Sequence, residues 1–263
     1  MEFIKVIVKK ILYWKWLFRL RFGRDVSLNG EEKATVILLS YKRVQNIEPI
    51  TRSCLKCHFI EKVIISNHNP DIQIEDWVKV KDKRVVLINQ PVRKRCGWRW
   101  VMAKEESANY FIALDDDAFI YPEQIGMLFN RLIQQPDVPH GVKGSVFWDP
   151  KNEKFTNKYF QQKEMDVDVL HQLYFVTKEH VNRYFKYVDK IKASNCVVGN
   201  EIEPVGDDIV ISHTGLNQAK IHDVGFPLTC PTQYAKGIAV RSEENFDQRR
   251  REIFSEVKKI GII

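Results

Sequence analysis

Short apolar runs rich in β-branched residues alternate with longer amphipathic stretches through the first half of this 263-residue chain. Ala34–Tyr41 (ATVILLSY) reads as a strand buried on both faces. Residues 44–58 read as a helix. Lys62–Ser66 (KVIIS) is a second buried strand, and it ends at Asn67-His68-Asn69-Pro70, a strong turn signal. Arg84–Ile88 (RVVLI) is a third strand, and residues 97–108 read as a helix. Tyr110–Leu114 (YFIAL) is a fourth strand that runs straight into Asp115, Asp116 and Asp117. Pro122 suits the first turn of a helix over residues 122–135. After Pro136 the pattern loosens. Gly144–Trp148 reads as a strand, residues 149–164 as a polar loop or hairpin, Val167–Thr177 as a strand region and 178–188 as a helix.

Buried strands alternating with helices predict an α/β fold with a parallel sheet and right-handed crossovers. Ligands of such sheets sit beyond the carboxyl ends of the strands. The Asn67 turn and the aspartate triplet both fall at such ends. The chain divides into a basic segment (1–30), a ligand-binding half (31–135) and a second half of the same domain (136–263).

Residues 3–22 are apolar and aromatic but interrupted by cations every few positions, which excludes a spanning helix. They also lack the small-residue cleavage site of a signal peptide. Wound as a helix, Ile4, Ile7, Ile11, Trp14, Phe18 and Phe22 fall on one face and the basic residues cover the rest. The pattern predicts either a helix lying in a membrane interface or one packed on its own domain.

Charge sharpens this division. Residues 1–24 hold Lys5, Lys9, Lys10, Lys15, Arg19, Arg21 and Arg24 against Glu2 alone, so most of the net charge of +7 resides there. The body is nearly neutral, which argues against a nucleic-acid partner. With 44% hydrophobic and 29% charged residues, the chain has an ordinary globular balance. Five cysteines (Cys54, Cys57, Cys96, Cys196, Cys230) read as reduced thiols in a cytosolic setting. Cys54-Leu55-Lys56-Cys57-His58 spells a haem-attachment motif, but its place on a predicted core helix favours buried thiols.

Three successive carboxylates repel one another unless a cation compensates. Mg²⁺ or Mn²⁺ would suit such oxygen ligands, with a substrate diphosphate completing the shell. If the strand continues past Leu114, Asp115 and Asp117 point to one side and Asp116 to the other. Gly206-Asp207-Asp208 opens a further predicted helix, where a capping role explains one acid but not both. Arg43, Arg93 and Arg95 are candidate phosphate or ribose contacts, and His213 or His222 a candidate further metal ligand.

These segments resemble the glycosyltransferase domain of the exostosin family (glycosyltransferase family 64). Ile37–Arg43 (ILLSYKR), Val63–Asn67 (VIISN), Asn89–Cys96 (NQPVRKRC) and Phe111–Asp117 (FIALDDD) carry the likeness, with Val205–Ser212 (VGDDIVIS) further on and a faint echo over Gly237–Arg250. Ser40 stands where the family usually has Thr, and residues 140–200 match poorly. The resemblance implies a GT-A fold: a Rossmann-like, mostly parallel central sheet flanked by helices. It implies a metal-dependent transfer of a hexose or N-acetylhexosamine from a nucleotide diphosphate donor, expected to be a UDP-sugar, to a glycan or lipid-linked acceptor with retention. Under it, Ser40, Tyr41, Arg43, Asn67, Arg93, Arg95, Asp115 and Asp116 meet the donor. Asp117, Asp115 and His222 hold Mn²⁺ or Mg²⁺, and Asp208 with Asp207 lies by the reacting carbon. The expected location is the cytosolic face of a membrane, held peripherally by residues 1–24. Three alternatives stay open: an inverting family 2-type transferase, a nucleotidyltransferase and an inert sugar-binding relative. The second would want a Gly-rich phosphate loop, and Ser40–Asn46 (SYKRVQN) has no Gly.

Overall fold

The structure is a computed structural model that describes residues 2–149, 154–194, 200, 202–225, 228–230 and 244–260. It opens with helix α1 (Glu2–Phe22). Strand β1 (Ala34–Ser40), a 3-10 turn at Val44–Asn46 and helix α2 (Ile47–Leu55) follow. Next come β2 (Ile60–Asn67), β3 (Val85–Asn89), α3 (Trp98–Glu105), β4 (Tyr110–Leu114), β5 (Ala118–Phe119) and α4 (Pro122–Gln134). The second half holds β6 (His140–Gly141), β7 (Lys143–Asp149), β8 (Lys154–Gln161), β9 (Met165–Asp166), β10 (Val169–Leu170) and β11 (Leu173–Thr177). Helices α5 (Lys178–Ala193) and α6 (Asp207–Ser212), strands β12 (Lys220–Ile221) and β13 (Leu228–Thr229), and helix α7 (Phe246–Lys259) close it.

The central sheet has the order β3-β2-β1-β4-β11-β6-β12-β9. Its first four strands are mutually parallel, as expected. Every residue of β1 is buried, and alternate side chains feed opposite cores. Val36 and Leu38 belong to a core that α1, α2 and α4 also fill; Ile37 and Leu39 belong to a second core shared with α3, α5, α6 and α7. This two-sided burial is why the strand reads as a continuous apolar run.

The second half settles one open reading and departs from another. The stretch 149–164 includes a long strand: β8 pairs antiparallel with β7 and makes the hairpin one of the two readings anticipated. The single strand region at 167–177 is two strands. Gln172 adopts φ 64°, turning the chain out of a small sheet (β10-β7-β8) and into the central one, where β11 runs antiparallel to β4. The sheet is therefore mostly, not wholly, parallel.

Helix α1 is docked on the domain. Trp16 and Leu20 are buried, and the Trp16 indole donates to the Ile120 carbonyl at 3.1 Å. Its ring lies 4.9 Å from Phe119 and 5.9 Å from Tyr13. Burial of two such side chains stabilises the contact by about 2 kcal/mol each. The docked face is opposite the one that the sequence pattern singled out: Ile7, Ile11, Trp14, Phe18 and Phe22 are exposed. No helix among the described residues is long and apolar enough to cross a membrane.

Candidate active site

A cleft lies beyond the C-terminal ends of β1 and β4, where ligand sites of open α/β sheets fall. Ser40, Tyr41 and Arg43 line it from the end of β1, Arg93 and Arg95 from the segment before α3, and Asp115, Asp116 and Asp117 from the end of β4. Asp207 and Asp208 face in from the start of α6. Ten of the twelve candidate residues thus converge on one cleft.

The other two do not. Asn67 is fully buried, and its amide donates to the Asn69 and Ile72 carbonyls and to Asn89 Oδ1 while Oδ1 accepts from the Asn69 amide. It organises the turn after β2, and its neighbour His68 lines the cleft instead. Burial lowers the His68 imidazole to about 4, so the ring is neutral. His222, just past β12, hydrogen-bonds His140 of β6 at 2.8 Å and Glu164 at 2.7 Å and does not line the cleft. A lone histidine in sequence carries no sign of which end of the sheet it occupies. His213 likewise bonds the Ile209 carbonyl within α6.

The strand does not continue through the triplet. The Ala118 amide donates to the Asp115 carbonyl at 3.1 Å, closing a tight turn. The expected alternation therefore fails. Asp116 pairs with Arg43 at 2.8 Å, and Asp117 reaches the same guanidinium at 3.5 Å. Asp115 points elsewhere, to Arg99 at 2.7 Å. Gln172 Nε2 donates to Asp117 at 2.9 Å, and Lys143 Nζ in turn donates to Gln172 Oε1 at 2.7 Å. Burial, reinforced by Asp115 and Asp116, raises the Asp117 carboxyl to about 7.

Across the cleft, the arrangement is different. Two close approaches hold the start of α6 in place. The Gly97 amide donates to the Glu203 carbonyl at 2.9 Å, and a Cβ at Gly97 would stand 3.0 Å from Glu203 Cα. Gly206 is similarly pressed on Ile253 of α7. Asp208 receives both prongs of Arg250, at 2.7 and 2.8 Å, and lies 3.4 Å from His171. Burial pushes its carboxyl up, but Arg250 and His171 outweigh this and hold it well below the usual range. Asp207 accepts from the Trp100 indole at 3.2 Å and lies 3.5 Å from Arg99. Burial, with Asp208 and Asp115 adding to it, leaves its carboxyl at about 7 despite Arg99.

Sequence reasoning missed Arg99, Arg250, His171, Gln172 and Lys143. One signal was present. Arg250 stands at the head of Arg250, Ile253, Phe254 and Val257, the buried stripe of α7. A cation at an apolar-face position needs an anion inside.

The residues present fit a divalent cation bound together with a diphosphate. The donors are hard carboxylate oxygens. The Asp115 side chain is 31% exposed at the cleft, and burial, with Asp115 and Asp116 adding to it, raises the Asp117 carboxyl to about 7. Among the described residues, no cluster of three or more His, Cys, Asp or Glu is arranged to hold a metal. Two carboxylates, substrate oxygens and water would make up the shell. The Ser40 hydroxyl and Arg99 Nη1, both buried, find no hydrogen-bond partner among the described residues.

Comparison with solved structures defines the fold class. The chain resembles the Staphylococcus aureus TarS 1–349 structure in complex with UDP-GlcNAc, at 14% identity and a TM-score of 0.55. The match covers 86% of this chain and 66% of that one, just under two thirds. A weaker likeness links it to CMP:2-keto-3-deoxy-manno-octonic acid synthetase complexed with CTP, at 11% identity, a TM-score of 0.40, 59% of this chain and 78% of that one. No family model and no curated protein matches the chain. The fold is GT-A-like: a mostly parallel central sheet flanked by helices.

Proposed function

We propose that the protein is a metal-dependent glycosyltransferase acting on a nucleotide diphosphate sugar, with a UDP-sugar as the first candidate donor and a glycan or lipid-linked acceptor. One observation carries the reading. Five carboxylates from two distant segments face each other across a cleft at the strand ends, beside exposed Arg93 and Arg95. The likeness to a structure containing UDP-GlcNAc supports the same reading at the level of fold.

Arg93 and Arg95 would grip diphosphate oxygens, since guanidinium forks match them. Arg93 lies 4.4 Å over the Tyr41 ring, which orients it at the cleft. Ser40 would donate its hydroxyl to the donor. Asp115 and Asp117 would hold Mn²⁺ or Mg²⁺, whose charge neutralises the leaving diphosphate. Asp208, kept anionic by Arg250, is a poor proton acceptor. It would stabilise positive charge developing on the sugar and orient the acceptor, in line with transfer with retention and with the family 64 resemblance. The inverting alternative has one observation in its favour: Asp207, at about 7, is matched to general-base work.

The test is turnover of a panel of nucleotide sugars with Mn²⁺. Donor hydrolysis or transfer by the wild type, lost by about a hundredfold or more in Asp117→Ala and in Asp208→Ala, is expected. Full activity in both variants would remove the assignment, and the anomer of the product decides between retention and inversion.

A further inference from the structure

We infer that the outer face of α1 is a docking surface for an anionic lipid bilayer. At about 100° per residue, Ile7, Ile11, Trp14, Phe18 and Phe22 form one stripe, and each is exposed, Trp14 at 68%. Trp16 and Leu20 project from the opposite side into the core. The helix thus has two apolar faces, and the domain uses one. Five large side chains left in water on one helix exceed what a soluble monomer scatters singly over its surface.

Charge identifies the occupant. Exposed Lys10 and Arg21 flank the stripe on one side and Lys15 on the other, and no acid interrupts residues 3–24. The nearest cation on the inner side, Arg19, is already paired with Glu123 at 2.7 Å. Indole and phenyl rings in the middle with cations at the edges match the boundary between acyl chains and anionic headgroups. A protein groove would not call for cations on both flanks. The Trp16 seat on Phe119 and Ile120 fixes the outer face rigidly against the chain just past the acidic turn. This goes beyond the transferase reading and does not depend on it.

The test is co-sedimentation of the full chain with vesicles, with no activity measured. Vesicles of equal phosphatidylglycerol and phosphatidylcholine should carry down about tenfold more protein than phosphatidylcholine alone, and less as salt rises. Trp14→Ser with Phe18→Ser, and separately Lys10→Glu with Lys15→Glu, should each lose that binding by about tenfold. None of the four side chains belongs to either core cluster, so thermal midpoints should stay unchanged. Wild-type binding no stronger than that of the variants would overturn the inference. So would a concentration-dependent dimer that the Trp14→Ser, Phe18→Ser variant abolishes without any vesicle binding, since a second copy would then cover the face.

Discussion

One acid from each segment of the cleft, Asp117 of the turn and Asp208 of the helix start, is balanced in the way opposite to the other, while Asp207 beside Asp208 sits at about 7 as Asp117 does. At the end of β4, Asp116 and Asp117 share one guanidinium, and Asp117 keeps a proton near neutrality. At the start of α6, Asp208 has a guanidinium to itself, doubly bonded, and stays ionised far into acid. An undersupplied turn is a receptor for further positive charge. A fully supplied carboxylate is a fixed anion. Composition alone, three Asp against two, would suggest only a difference of degree.

The largest expected effect comes from unbalancing the fixed anion. Arg250→Met strands Asp208 in the interior and should cost about 3 to 5 kcal/mol in chemical denaturation. A loss below about 1 kcal/mol would show that the pair is not the buried clasp described. Relieving the undersupplied turn should do the reverse. The folded Asp117 carboxyl sits at about 7 and its unfolded value near 3.8, so its protonation favours the folded state. That contribution is complete below about 3.8 and lost as pH rises through about 7. Asp117→Asn should therefore stabilise the metal-free protein at pH 8 by about 2 kcal/mol, and the gain should vanish towards pH 4. Added Mn²⁺ should raise the melting point of the wild type and not of this variant. A destabilised Asp117→Asn at pH 8 would mean that Arg43 balances the turn after all.

Arg99 bridges the two segments, touching Asp115 and Asp207. Arg99→Lys keeps the charge but loses the fork, and it should lower kcat/KM for the donor by about tenfold. The smallest effect belongs to His222→Gln. It breaks the chain His140–His222–Glu164 and should cost about 1 kcal/mol of stability, with Mn²⁺ affinity by calorimetry unchanged. Weaker Mn²⁺ binding would bring His222 back as a ligand.

Much of the first half was legible because β1, β4 and most of β2 are buried on both faces, which forces continuous apolar runs there. The acidic turn was legible because it follows such a run directly. Its internal geometry was not, since the turn closed by the Ala118 amide on the Asp115 carbonyl brings Asp116 and Asp117 to the same Arg43. Gln172 hid the turn between β10 and β11, because a left-handed residue that is neither Gly nor Asn gives no local warning. Arg99 was hidden among many surface cations. Only the packing of α3 against α5 and the 202–206 segment places it inside.

The antiparallel seam between β4 and β11 has a consequence for how this molecule can diversify. Leu173 lies opposite Leu114, and the Asp115 amide donates to the Gln172 carbonyl, so the second half completes the strand end on which the first half mounts its acids. Neither half can be recombined as a cassette with a foreign partner without re-cutting that seam. New specificities must arise by replacing loops around a shared backbone, much as a lock is re-keyed without changing the door.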